Sequence, residues 1–131
     1  MACTLVLIDT SVWVEALSAG GNPACHERVR DLVSAQLAAT CEIVIAEVLR
    51  GADDWVQAAS LDARLRSVEV LPLEGVGTLA AAMGREMEAP RRNFGDLLIA
   101  ATARIHQVAL LHRDDDLSRI AARFGVEDET P

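Results

Sequence analysis

Two short apolar runs constrain this chain most: Leu5-Val6-Leu7-Ile8 ends on Asp9, and Val108-Ala109-Leu110-Leu111 runs through His112 and Arg113 into Asp114. Unbroken apolar runs of this length suit strands buried on both faces, which is what a parallel sheet requires. Stretches with helical spacing lie between them, so the expected fold is α/β: a parallel sheet flanked by helices on both faces. In such folds ligand sites lie beyond the carboxyl ends of the strands, so Asp9 and Asp114 should point at a common crevice.

Thr4 to Ile8 is expected as the first strand. A helix follows from about Ser11 to Leu17, capped by Thr10 or Ser11, although Val12-Trp13-Val14 also suits a strand. Gly20-Gly21-Asn22-Pro23 ends that helix, and a second runs from about His26 toward Leu37. Ala38 to Cys41 fits no clear period. Ile43 to Arg50 reads as a short helix closed by Gly51, and another runs from a cap at Asp53 or Asp54 to about Arg66. Val68 to Leu71 is a strand stopped by Pro72, and Val76, Leu79, Ala80, Met83 and Met87 then form an amphipathic stripe. Asp96 opens a helix, Leu97 to Ala103, that is apolar nearly all round and therefore buried. Leu117, Ile120, Ala121 and Phe124 mark the last helix, with Gly125 after it.

The 131 residues suit one domain, residues 1–131, with a single core. No apolar run approaches bilayer length, and the opening segment has no basic residues before Asp9, so a cytosolic protein is expected. Cys3, Cys25 and Cys41 have neither CxxC spacing nor paired histidines and are expected as inert thiols. A net charge of −8 weighs by its sum against a nucleic-acid partner. Distribution matters more than the sum, because a bound cation would offset acids gathered in one site. All twelve basic residues are Arg, a good bidentate ligand for phosphate.

Glu47 and Asp96 interrupt apolar helical stretches, and with Asp9 and Asp114 they make four acids in unusual places. Two carboxylates about 4 Å apart repel by roughly 4 kcal/mol at an effective dielectric near 20. Four acids sharing a pocket therefore need a hard cation, a shared proton or a partner's guanidinium. Taken singly, Asp9 would serve to begin a turn and Asp96 to cap a helix. Glu47 resists such an account, because its neighbours Ile43 and Val44 suggest burial and a lone buried carboxylate is costly.

These pieces together resemble the PIN-domain ribonucleases, most closely the VapC-type toxins of bacterial toxin–antitoxin pairs. The matching segments are Asp9-Thr10-Ser11, Ala46-Glu47-Val48-Leu49-Arg50-Gly51, Gly95-Asp96-Leu97-Leu98-Ile99-Ala100-Ala101-Thr102-Ala103 and His112-Arg113-Asp114-Asp115-Asp116-Leu117. The resemblance implies an acidic site of Asp9, Glu47, Asp96 and Asp114, with Asp116 a fifth acid, and Mg²⁺ or Mn²⁺ as cofactor. It implies cleavage of single-stranded or loop RNA, a homodimer, and a cognate antitoxin whose C-terminal segment blocks the crevice.

Within that scheme Asp9 and Asp96 are the expected direct metal ligands, while Glu47 and Asp114 orient water or a second ion. Ser11 would support the site by a hydrogen bond, or else cap its helix. Asp116 is either a supporting acid or the cap of the last helix, with capping favoured, and Asp115 faces solvent. Arg91, Arg92 and Arg113, close in sequence to Asp96 and Asp114, are expected either to hold RNA phosphates at the rim or, as such residues more often do, to lie in solvated loops, and His112 is given a structural role. Leu117 stands where the family commonly has Phe, and the short chain after Gly125 leaves at most an edge strand.

A non-catalytic PIN-like module that binds RNA or protein is the main alternative, and loss of an acid would have favoured it. A metal-dependent phosphatase is more distant: such families use a lysine, which this chain lacks, and position 11 holds Ser11 where Asp-x-Asp would need its second acid. No Gly-x-Gly-x-x-Gly follows the first strand, which disfavours a dinucleotide site.

Overall fold

Leu7 and Ile8 are fully buried on β1 (Val6–Ile8), and the sheet forms around them. In the computed structural model, which describes residues 4–87 and 93–131, β1 leads into α1 (Thr10–Ala16), α2 (Pro23–Ser34) and β2 (Ala38–Thr40). There follow α3 (Glu42–Arg50), α4 (Trp55–Leu65), β3 (Glu69–Val70), α5 (Val76–Met87) and α6 (Phe94–His106). The chain closes with β4 (Ala109–Leu111), α7 (Asp115–Phe124) and β5 (Asp128–Glu129). The strands are all parallel, in the order β3-β2-β1-β4-β5.

That order places the site. The chain winds outward from β1 through β2 to β3, then crosses back to lay β4 against the other side of β1. Ile8 pairs with Leu111, and the Asp9 N–H donates to the Leu111 carbonyl at 2.9 Å. β1 and β4 therefore end side by side at the point where the winding reverses, where open α/β sheets leave a crevice.

The helices follow the expected stripes with instructive differences at their ends. Val12 and Trp13 are buried on α1, a helix and not a strand, and its cap is neither Thr10 nor Ser11 but Asp9, whose carboxylate accepts the Ser11 N–H. Asn22 caps α2 and Pro23 is its first residue, so this helix starts earlier than its periodicity suggested. Ala38 to Thr40, without a readable period, is a wholly buried strand. Gly51 ends α3 at an ordinary φ of −85°, so it is not a left-handed cap; Gly125, at φ 69°, is one. α6 buries Leu97 and Ile99 to Ala103, as its apolar sequence requires, and the Thr102 hydroxyl is satisfied by the Leu98 carbonyl at 2.7 Å. Leu117 is fully buried, and the last strand is reduced to the two-residue edge β5.

Cys25 and Cys41 are buried free thiols, while Cys3, Arg91 and Arg92 lie outside the described residues. No helix among the described residues is long and apolar enough to cross a membrane.

Candidate active site

Four separate elements deliver the acids to one place. Asp9 follows β1 and is 4% exposed; its Oδ2 accepts the Ser11 N–H at 3.0 Å and the Ser11 hydroxyl at 2.6 Å. The same hydroxyl oxygen accepts the Arg113 N–H at 3.0 Å, so Ser11 ties the end of β1 to the loop after β4. Ser11 thus bonds a carboxylate of the predicted site and does not cap its helix.

Glu47 extends from α3, and here the expectation of burial was wrong. Val44, Ile45 and Val48 form the buried stripe, whereas Glu47 sits at its edge and is exposed. Ile43 and Val44, one turn back, adjoin it only at the margin of the buried stripe, so their apolarity does not bury it. Its Oε1 accepts the Thr10 hydroxyl at 2.5 Å. A Cβ at Gly95 would come within 3.0 Å of its Oε2, so the bare glycine lets the start of α6 approach this carboxylate.

Asp96 lies half-buried in the first turn of α6, but Asn93 holds the cap position, so capping does not explain it. Asp114 does cap α7, accepting the Asp116 N–H at 2.8 Å. Asp116 is therefore not the cap; it lies one residue inside the helix and pairs with Arg119. The cap falls on Asp114 because it is the last residue with extended backbone. Asp115 is exposed, as expected.

Asp9, Thr10, Ser11, Glu47, Arg50, Asp96 and Asp114 line an open hollow of about 310 Å³. Asp96, Asp114 and Asp116 can each offer an oxygen within 4.8 Å of the others. Asp9, expected to share a metal with Asp96, is outside that trio, and its Oδ2 is turned toward Ser11. A larger hollow of about 500 Å³ lies away from the acids, among Trp13, Leu17, Val29 and Val33. Its lining is mainly apolar, and the chemistry follows the donors, not the volume.

Burial, then the charges of Asp114, Asp9 and Glu47, push the Asp96 carboxyl up from 3.8 to about 6. The folded state thus holds this proton more tightly than the unfolded chain. Its stabilisation is complete below about pH 4 and is lost as pH rises through about 6. For a half-buried carboxyl the loss should be of order 2 kcal/mol. Urea midpoints in chelator should show Asp96→Asn matching wild type near pH 4 and exceeding it at pH 7.5. A difference that does not change with pH would refute the shift.

The family model for the PIN domain matches residues 6–123. The chain belongs to the PIN domain family. VapC ribonuclease Mb1587 of Mycobacterium bovis and ribonuclease VapC11 of Mycobacterium tuberculosis are each 37% identical to it over 124 residues, covering 89% of this chain and 92% of theirs. VapBC2 of Rickettsia felis, bound to a promoter DNA fragment, shares the fold with a TM-score of 0.76 at 19% identity, over 98% of this chain and 99% of that one. DNA-bound VapBC of Salmonella typhimurium does so at 0.72 and 17%, over 98% of each chain.

Of the basic residues expected at the rim of this PIN domain, Arg91 and Arg92 lie outside the described residues and Arg113 pairs with Glu15 at 3.2 Å. Arg50, not among those expected, lines the acidic hollow. Arg50 was legible in principle, since it lies three residues after Glu47 and so on the same helix face. Thr10 was missed as a partner of Glu47 because that contact joins residues far apart in sequence.

Proposed function

We propose that this PIN domain is a Mg²⁺- or Mn²⁺-dependent endoribonuclease, the toxin of a toxin–antitoxin pair, acting on single-stranded or loop RNA in the cytoplasm. The observation that carries this reading is the convergence of Asp9, Glu47, Asp96 and Asp114 on one hollow at the reversal point of the sheet. Its relatives at 37% identity, named ribonucleases, support it.

Asp96, Asp114 and Asp116 are the residues that would hold the ion, since clustered carboxylate oxygens suit hard divalent cations. When bound, the ion would activate water and stabilise charge on the phosphoryl oxygens. Asp9, held by Ser11, and Glu47, held by Thr10, would orient water in the hollow. Arg50 would receive a phosphate of the RNA backbone. An antitoxin segment carrying Arg or Lys would occupy the same carboxylates and block them, the third way of neutralising such a cluster.

The test is cleavage of a single-stranded RNA with Mn²⁺ or Mg²⁺ against chelator, alongside thermal melts. An ion that binds only the folded state at a hundred times its Kd should add about 2.7 kcal/mol. Equal melting temperatures together with no metal-dependent cleavage would overturn the reading.

A further inference from the structure

We infer that Asp128, on the edge strand β5, is a positioning residue for the acidic hollow, acting through His112 on Asp114. The inference rests on reading that hollow as a metal centre.

His112 is fully buried directly after β4, and both its ring nitrogens are engaged. The Asp114 backbone N–H lies 3.1 Å from Nδ1, and a backbone N–H can only donate. Nδ1 must therefore be the bare, accepting nitrogen and Nε2 must carry the proton. Nε2 lies 2.7 Å from Asp128 Oδ2, which accepts that proton. The Ser118 hydroxyl, on α7, donates to the same Oδ2 at 3.1 Å.

The cluster holds the ring in one orientation. The Asp128 carboxylate accepts the Nε2 proton, and so supports the ring form that the Asp114 N–H already requires. Without it, the buried Nε2–H is left with only the Ser118 hydroxyl, 3.4 Å away, as a distant acceptor. The ring would then be free to turn, and the Asp114 N–H would lose its acceptor. The loop carrying Asp114 would have to shift, and with it the carboxylate that caps α7 and joins the trio with Asp96 and Asp116.

The register of β5 makes the contact possible. Asp128 pairs with Leu110, and the His112 N–H donates to the Glu129 carbonyl at 3.1 Å, which brings the Asp128 side chain beside the imidazole. Arg28 of α2 holds Glu129 at 2.7 Å, anchoring the strand from the other direction. A two-residue edge strand thus has a task beyond closing the sheet.

The experiment uses the full chain and three variants, Asp128→Ala, Asp128→Asn and Ser118→Ala. Nitrogen NMR of labelled histidine reads the His112 tautomer, amide exchange reads the Asp114 N–H, and titration with Mn²⁺ reads affinity. Wild type should carry the proton on Nε2. Asp128→Ala should leave the proton on Nε2 but unprotect the Asp114 amide and weaken Mn²⁺ binding by about 10-fold or more, the usual cost of losing an outer partner of a ligand. Asp128→Asn, whose carbonyl still accepts, should keep the wild-type tautomer and affinity. Ser118→Ala should do the same.

A wild-type proton on Nδ1 would overturn the inference even if no variant folds. So would an Asp128→Ala protein whose Asp114 amide stays as protected as in wild type, or one that loses that protection with Mn²⁺ affinity intact. If wild type binds Mn²⁺ but cuts no RNA, the ribonuclease reading fails and this inference is untouched. If wild type binds no Mn²⁺, the metal reading fails, and the tautomer and the Asp114 amide still decide the coupling.

Discussion

Asp96→Asn is expected to lower metal-dependent RNA cleavage by at least about 10²-fold while raising the stability of the metal-free fold at neutral pH. Both effects have one cause. Asp96 is the acid whose ionisation the fold resists most clearly, being half-buried and facing Asp114, Asp9 and Glu47. An amide of nearly the same volume removes that repulsion and also removes an anionic ligand. Cleavage rates with Mn²⁺ and urea midpoints in chelator, measured on the same preparation, check both. A variant that cuts RNA at the wild-type rate would remove Asp96 from the mechanism; one that is inactive because it is unfolded would contradict the predicted gain in stability.

The three consecutive aspartates should separate by role. Asp114→Asn should lose cleavage by at least about 10²-fold yet keep its stability, because asparagine caps a helix nearly as well as aspartate. Asp114→Ala should lose the same activity and about 1 kcal/mol of stability besides. Asp115→Asn, altering an exposed side chain, should behave as wild type. Asp116→Asn should weaken metal binding without the loss of stability that a capping role would have required, since its oxygens belong with those of Asp96 and Asp114. Denaturant midpoints and cleavage rates for the four proteins decide the matter. An inactive Asp115→Asn beside an active Asp114→Asn would mean that the loop after β4 is built in another register.

Periodicity and apolar runs were enough to expect alternating strands and helices, a buried α6 and a parallel sheet, because burial on two faces leaves a strong local signature in sequence. That Asp9 and Asp114 meet at one hollow was readable because each follows a strand, and α/β topology itself directs such residues to one crevice. The three-residue strand Ala38–Thr40 left no such signature, since its alanines and threonine suit several conformations and only pairing with Val6, Leu7 and the β3 strand decides it.

Helix caps were read one or two residues off at α1 and misassigned at α7 because aspartates, serines and threonines adjoin one another there, and backbone dihedrals choose among them. Everything that depends on long separations was decided by the tertiary structure alone. The exposure of Glu47, its bond to Thr10, the pairing of Arg113 with Glu15 and the reach of Asp128 to His112 all join residues from different elements. Sequence spacing sets which residues share a strand or a helix face, but only packing sets which faces meet.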